Sequence, residues 1–223
     1  MGNRRLGARR LNAALKRGSS DTDSLYQAGT GIKKAIVSHK LLKLGGMIET
    51  HILVDLQADG TCEIWNGDAD VEIIGEATDD DGTGAVADAS LLTWENDVHG
   101  LFSEVEMHCI EAPAGGTADV RLVNGGAQTL ASGTASGVAD NATTTGADAR
   151  YDLVNPKGSW TAGGVGHLGA PMANDHDAIT DTDLIVGDGN KLYLSNGDGG
   201  VAAAFSAGKF LIILRGRDTS WGF

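Results

Sequence analysis

The residues of this chain that could do chemistry are few and scattered. Six histidines stand at His39, His51, His99, His108, His167 and His176. No two are three or four residues apart, so none forms the paired helical ligands of a zinc hydrolase. The chain contains no GxxxxGK[ST] phosphate loop, no GxSxG nucleophile turn and no HExxH helix. Catalysis has no recognisable centre, and the expectation is a protein that is not an enzyme and carries no cofactor. Acidic loops are the next candidates. Asp79, Asp80 and Asp81, and separately Asp188, Asn190 and Asp198, offer clustered oxygens. Calcium requires six to eight of them, and neither loop matches the twelve-residue calcium loop with its terminal glutamate. Asp and Asn beside Gly are turn formers, so no metal site is expected. Asn174-Asp175-His176-Asp177 reads as a solvated loop.

Cys62 and Cys109 lack CxxC spacing and sit in apolar runs. They are expected to be buried thiols. Trp65, Trp94, Trp160 and Trp221 could stack on sugars, but core packing is the commoner use of such rings.

Charge is more informative. The formal net charge is −13, yet six of the 17 basic residues precede the first acid, Asp21. These are Arg4, Arg5, Arg9, Arg10, Lys16 and Arg17. The rest of the chain keeps 11 basic residues against 30 acidic ones. The protein is therefore a cationic arm on an anionic body. Phosphate repels such a body, so nucleic acid is not expected as a partner except through the arm. Leu11 and Leu15 are spaced i,i+4, and with Leu6 they add an apolar stripe to the basic segment. The arm is expected to form a short helix, stopped by Gly18-Ser19-Ser20, and to dock on a partner through Arg4, Arg5, Leu6, Arg9, Arg10, Leu11, Leu15, Lys16 and Arg17. No apolar stretch long enough for a signal peptide or a membrane span is present.

These features must be carried by strands. Residues 1–31 form the arm and linker, and 32–223 form a β-rich body. Met47–Leu56 alternates, with Ile48, Ile52, Val54 and Leu56 on one face and Glu49, His51 and Asp55 on the other. Asp59-Gly60 is expected to turn this strand into a return strand at Cys62–Trp65. Leu101–Glu111 is the longest candidate strand. Leu101, Ser103, Val105, Met107 and Cys109 are expected to share one face, and Glu104, Glu106 and His108 the other. Val120–Val123 and Gln128–Ala131 read as a hairpin across Asn124-Gly125-Gly126. Shorter strands are expected at Ala35–Ser38, Val71–Ile74, Leu91–Trp94, Tyr151–Val154, Leu184–Val186, Lys191–Leu194 and Lys209–Leu214. Residues 132–149, dominated by small polar residues, read as a long flexible loop or as weak edge strands. Many short strands, 33 glycines and no crossover helix point to an all-β fold, a β-sandwich or jelly-roll-like body with a short basic helical arm.

The opening MGNRRLGARRLNAALKRG with the following GIKKAIVSHKLL resembles structural proteins of tailed bacteriophages, cyanobacterial phages in particular. ENDVHGLFSEVEMHCIEAPAGGTADVRLV and SAGKFLIILRG are similar to the same group. The resemblance implies a virion protein made in the host cytoplasm, most simply a capsid cement or decoration protein. Its implied partners are the major capsid protein and copies of itself, in a homo-oligomer such as a trimer, with no membrane involved. A tail, knob or fibre-associated protein, or a host-glycan-binding β-sandwich, is the alternative.

Overall fold

The computed structural model describes residues 37–56, 73–75, 88–115, 119–130, 151–154, 156, 159–167, 186–196 and 205–218. Within them the protein is all-β, with two antiparallel sheets and a single turn of helix.

The first sheet starts as a hairpin. Strand β1 (Val37–Leu44) pairs with β2 (Met47–Asp55) across Gly45-Gly46, both at positive φ. A two-residue turn of that geometry matches the right-handed twist of the strands it joins. The second edge of β2 is taken along its whole length by β9 (Ala207–Arg217). Both edges of β2 are thus occupied, by β1 and β9; Cys62–Trp65, expected as its return strand, lies outside the described residues. β9 also pairs with β4 (Leu101–Ala114), and β4 with β7 (Val165–His167), giving the order β1-β2-β9-β4-β7. The second sheet runs β3-β8-β5-β6, from β3 (Leu92–Thr93), β8 (Lys191–Ser195), β5 (Arg121–Asn124) and β6 (Tyr151–Val154). β5 is flanked by β6 and β8. The expected hairpin between Val120–Val123 and Gln128–Ala131 therefore does not form. Instead Leu130 accepts a bond from Ala89 N–H and donates its own N–H to the Tyr193 hydroxyl.

The two sheets share one core. Ile52, Val54, Val105, Met107, Phe210, Ile212 and Leu214 of the first meet Leu92, Leu122, Leu153, Leu192 and Leu194 of the second in a single buried cluster. Trp160 meets Phe210 edge-on and donates its indole N–H to the Val120 carbonyl at 2.6 Å. His39 Nε2 reaches the Leu91 carbonyl at 2.8 Å, tying β1 to the segment that leads into β3. The sheets differ in one respect that matters for function. β5 is buried at every residue and β8 at all but its first, so the four-stranded sheet is covered on both sides. β2 and β9 alternate strictly between buried and accessible residues. The five-stranded sheet thus has one face in the core and one open face.

The helical turn α1 (Asn96–His99) leads into β4 through Gly100, at φ 80°. Trp94 lies beneath it, stacked on His99 and edge-on to Phe102, with its indole N–H donated to the Gly100 carbonyl. This turn presses against the end of β9. A Cβ on Gly216 would overlap the His99 carbonyl oxygen, which is backbone and cannot swing away. Gly216→Ala is expected to destabilise the protein by about 2 kcal/mol, measured by denaturant unfolding.

Candidate functional site

The open face of the five-stranded sheet gathers the strongest polar constellation among the described residues. Its centre is Arg215 on β9. The register places Glu49 of β2 on one side of it and Glu104 of β4 on the other. Arg215 Nε donates to Glu49 Oε1 at 2.9 Å, and Nη1 lies 3.1 Å from both Glu104 Oε2 and Glu106 Oε1. One guanidinium fork can serve several carboxylates in this way because its donors are fixed in a plane. The arrangement continues outward on both flanks. His51 Nε2 is 3.1 Å from Glu49 Oε2, and His108 Nε2 is 3.3 Å from Glu106 Oε2. The Arg215 bond holds the carboxyls of Glu49 and Glu106 below the usual range, and the two glutamates raise the arginine further. Glu49, Glu104 and Glu106 set three carboxylates against the one guanidinium, a formal excess of two negative charges among those four groups. Toward the far end of β2, Lys209 Nζ bonds Asp55 Oδ2 at 2.8 Å, which raises the lysine.

Apolar side chains share this face. The exposed large hydrophobics of the described residues are Met47, Leu53, Leu101, Ile110 and Val165; the register puts four of them on the open side of this sheet, and Ile110 stands at the irregularity between Cys109 and Glu111. The pairings Leu53 with Leu211, Leu211 with His108 and His108 with Val165 draw one row across four strands. Such clustered exposure marks contact surfaces more often than scattered single residues do. An electronegative cluster beside an apolar band can bind a surface that is basic and apolar together. It offers no nucleophile with an attendant base.

Leu101 was expected on the same face as Val105, Met107 and Cys109, yet those three are buried and it is half exposed. The cause is a bulge at Ser103 between the pairs Phe102/Gly216 and Glu104/Arg215. The extra residue reverses the phase of the strand. Phe102 therefore packs toward the core, and Leu101 and Ser103 are exposed. From Glu104 to Cys109 the expected alternation holds.

The arm residues Arg4, Arg5, Leu6, Arg9, Arg10, Leu11, Leu15, Lys16 and Arg17 lie outside the described residues. So do Cys62, Trp65, Trp221, His176, the loop 132–149, Asp79–Asp81, Asn174–Asp177 and Asp198. Asp188 and Asn190 are described, and both spend side-chain oxygens on backbone. Asp188 Oδ1 accepts from Asn96 N–H at the start of α1, and Asn190 Oδ1 accepts from Gly187 N–H. Trp94 and Trp160 are buried, so neither ring is available to a sugar. Cys109 is a buried thiol, and burial raises it above its ordinary value.

Sequence reasoning saw Glu49 with His51 and Glu106 with His108 as separate strand faces and missed Arg215. One signal was present. Both strands carry Glu-x-His, which at a strand's period of two puts acid and imidazole on one side. In comparisons with known proteins, no family model, no curated protein and no solved structure matches this chain.

Proposed function

We propose that this chain is a non-enzymatic structural protein of a virus particle, of the kind that decorates and cements a capsid shell. The resemblance of its arm and of three body segments to tailed-phage structural proteins suggests the setting. The observation that carries the reading is the open sheet face, where four large apolar side chains surround an ordered ionic cluster. That face is rigid, because every strand beneath it is paired and its reverse side is the core. A decoration protein works by many moderate contacts repeated over a lattice, and it needs a stable body with a contact surface rather than a reactive pocket. In the same reading the two sheets pack as a β-sandwich, residues 1–31 act as a basic arm, and the partners are the major capsid protein and copies of the chain.

Copy number tests the proposal. Mass spectrometry of density-purified particles is expected to find the chain at a ratio to the shell protein near one, or a simple fraction of it. A count of a dozen or fewer per particle would move it to a tail or fibre, and absence from purified heads would overturn the reading.

A further inference from the structure

The acidic cluster of the open face suits a surface that is basic and apolar together, and the same face carries one. We propose that the open face of the five-stranded sheet packs on the same face of a second copy, with Arg217 of each copy entering the Glu104 and Glu106 cluster of the other. The inference rests on reading that face as a contact surface, and it names the partner.

Charge is the first observation. Glu49, Glu104 and Glu106 exceed Arg215 by two formal charges, and Glu104 is the most open of the three, its side chain 49% exposed. Arg217 stands two residues further along β9 than Arg215, exposed, with no ion pair among the described residues. The register sets it between Met47 of β2 and Leu101 of β4, both of them exposed. A guanidinium flanked by two aliphatic side chains is the counterpart of carboxylates beside an apolar band. Symmetry is the second. Around a two-fold axis, if one residue meets another across the interface, the reverse contact also forms. A face that holds both the anionic and the cationic site therefore makes the favourable contact twice. A partner surface that was only basic would leave Arg217 against like charge. Size and cost are the third. Five strands at about 4.8 Å each, and the nine residues of β2 at about 3.4 Å each, make a face on the order of 700 Å². That is close to the roughly 800 Å² each partner gives to a stable interface. Sheets stacked face to face lie about 10 Å apart, a gap that arginine and glutamate side chains bridge between them. Burying charge is costly unless it is paired. Here Arg215 already bonds the three carboxylates, and Arg217 of the second copy offsets one of the two charges left over. Met47, Leu53, Leu101 and Val165, exposed in a single copy, supply the apolar area.

Sedimentation equilibrium of the full chain is expected to show a dimer with a dissociation constant on the order of micromolar. Arg217→Glu and Glu104→Arg each set like charges against one another at both symmetric contacts, and each should weaken the dimer about tenfold or more. Both positions are exposed, so the circular dichroism of each variant should match the parent. Mixed in equal amounts, the two variants bring opposite charges together at both contacts. They should then form a heterodimer of near-parental affinity, which misfolding of either variant could not produce. A chain that stays monomeric at roughly 100 µM, a dimer that neither variant weakens, or a mixture no tighter than the variants alone would each overturn the proposal. A chain at shell-like copy number that is monomeric in solution would lose this contact and keep its structural role, and a dimer absent from purified heads would do the reverse.

Discussion

Arg121→Ala is expected to cost about 3–4 kcal/mol of folding stability, the largest loss predicted for a polar residue of this protein. Arg121 is only 3% exposed, on a strand buried along its whole length. Its Nη1 lies 3.3 Å from Asp152 Oδ2 on the neighbouring strand β6. Breaking a buried pair from one side takes the guanidinium away from a carboxylate that has already lost most of its water, and that penalty dominates. The same reasoning gives an asymmetric control. The double change Arg121→Met with Asp152→Leu removes both desolvated charges together and should recover most of the loss. Urea unfolding of the two variants reads the difference directly. If the double variant is as unstable as the single one, the strand needs the pair for packing rather than for charge balance.

The second large effect is acid lability centred on His99. Its imidazole is fully buried, stacked on Trp94 at 4.8 Å. Burial holds its pKa down to about 4 from an ordinary 6.5, against the pull of the Glu95 carbonyl, and nearby His39 lowers it further. His99 Nδ1 lies 2.9 Å from the Glu95 N–H, from which it accepts when bare, and 3.1 Å from the Glu95 carbonyl, to which it donates when protonated. The sign follows. Above pH 6.5 both folded and unfolded chains hold the ring neutral. Between 6.5 and 4 the unfolded chain takes up a proton that the folded chain refuses, so stability falls as pH falls, and it levels off below 4. At about 1.4 kcal/mol per pH unit, the loss from pH 7 to pH 4 is roughly 3 kcal/mol. His39, half-buried and also depressed, adds to the same slope. Glu49 and Glu106 are carboxyls held below their usual range, so their contribution disappears only at still lower pH. The histidine window is separable for that reason. Calorimetric stability measured every half pH unit should show the slope, and His99→Gln should flatten most of it. A variant with the parent slope would assign the lability elsewhere.

Much of the fold could be read along the chain wherever burial is one-sided. The alternation of Ile48, Ile52 and Val54 against Glu49, His51 and Asp55 is the alternation found in β2. The run Lys209–Leu214 lies within the longer β9. Errors arose where a strand is buried on both sides or changes phase. Arg121 to Asn124 shows no alternation because both of its faces are covered, and nothing local distinguishes Arg121 from a surface arginine. The bulge at Ser103 is one residue long, and it moved Leu101 out of the core face and Phe102 into it. Turn signals misled for a different reason. Asn124-Gly125-Gly126 does turn the chain, but the edges of β5 belong to β6 and β8, which lie about 30 and 70 residues further on.

By itself the sequence determined the β-rich class, the polar sides of β2 and β4, and the uneven charge, with six basic residues before the first acid, Asp21. Those properties follow from composition and a period of two, which any short window contains. Only the tertiary structure decided that the two Glu-x-His strands share one neighbour and that this neighbour brings Arg215 between them. Glu49 and Arg215 are 166 residues apart, and Glu106 and Arg215 are 109 apart. Periodicity says which side of a strand faces the core, but not which strand lies beside it. That choice is made by how all the buried faces fit together at once, and it turns two ordinary polar strand faces into one charged surface.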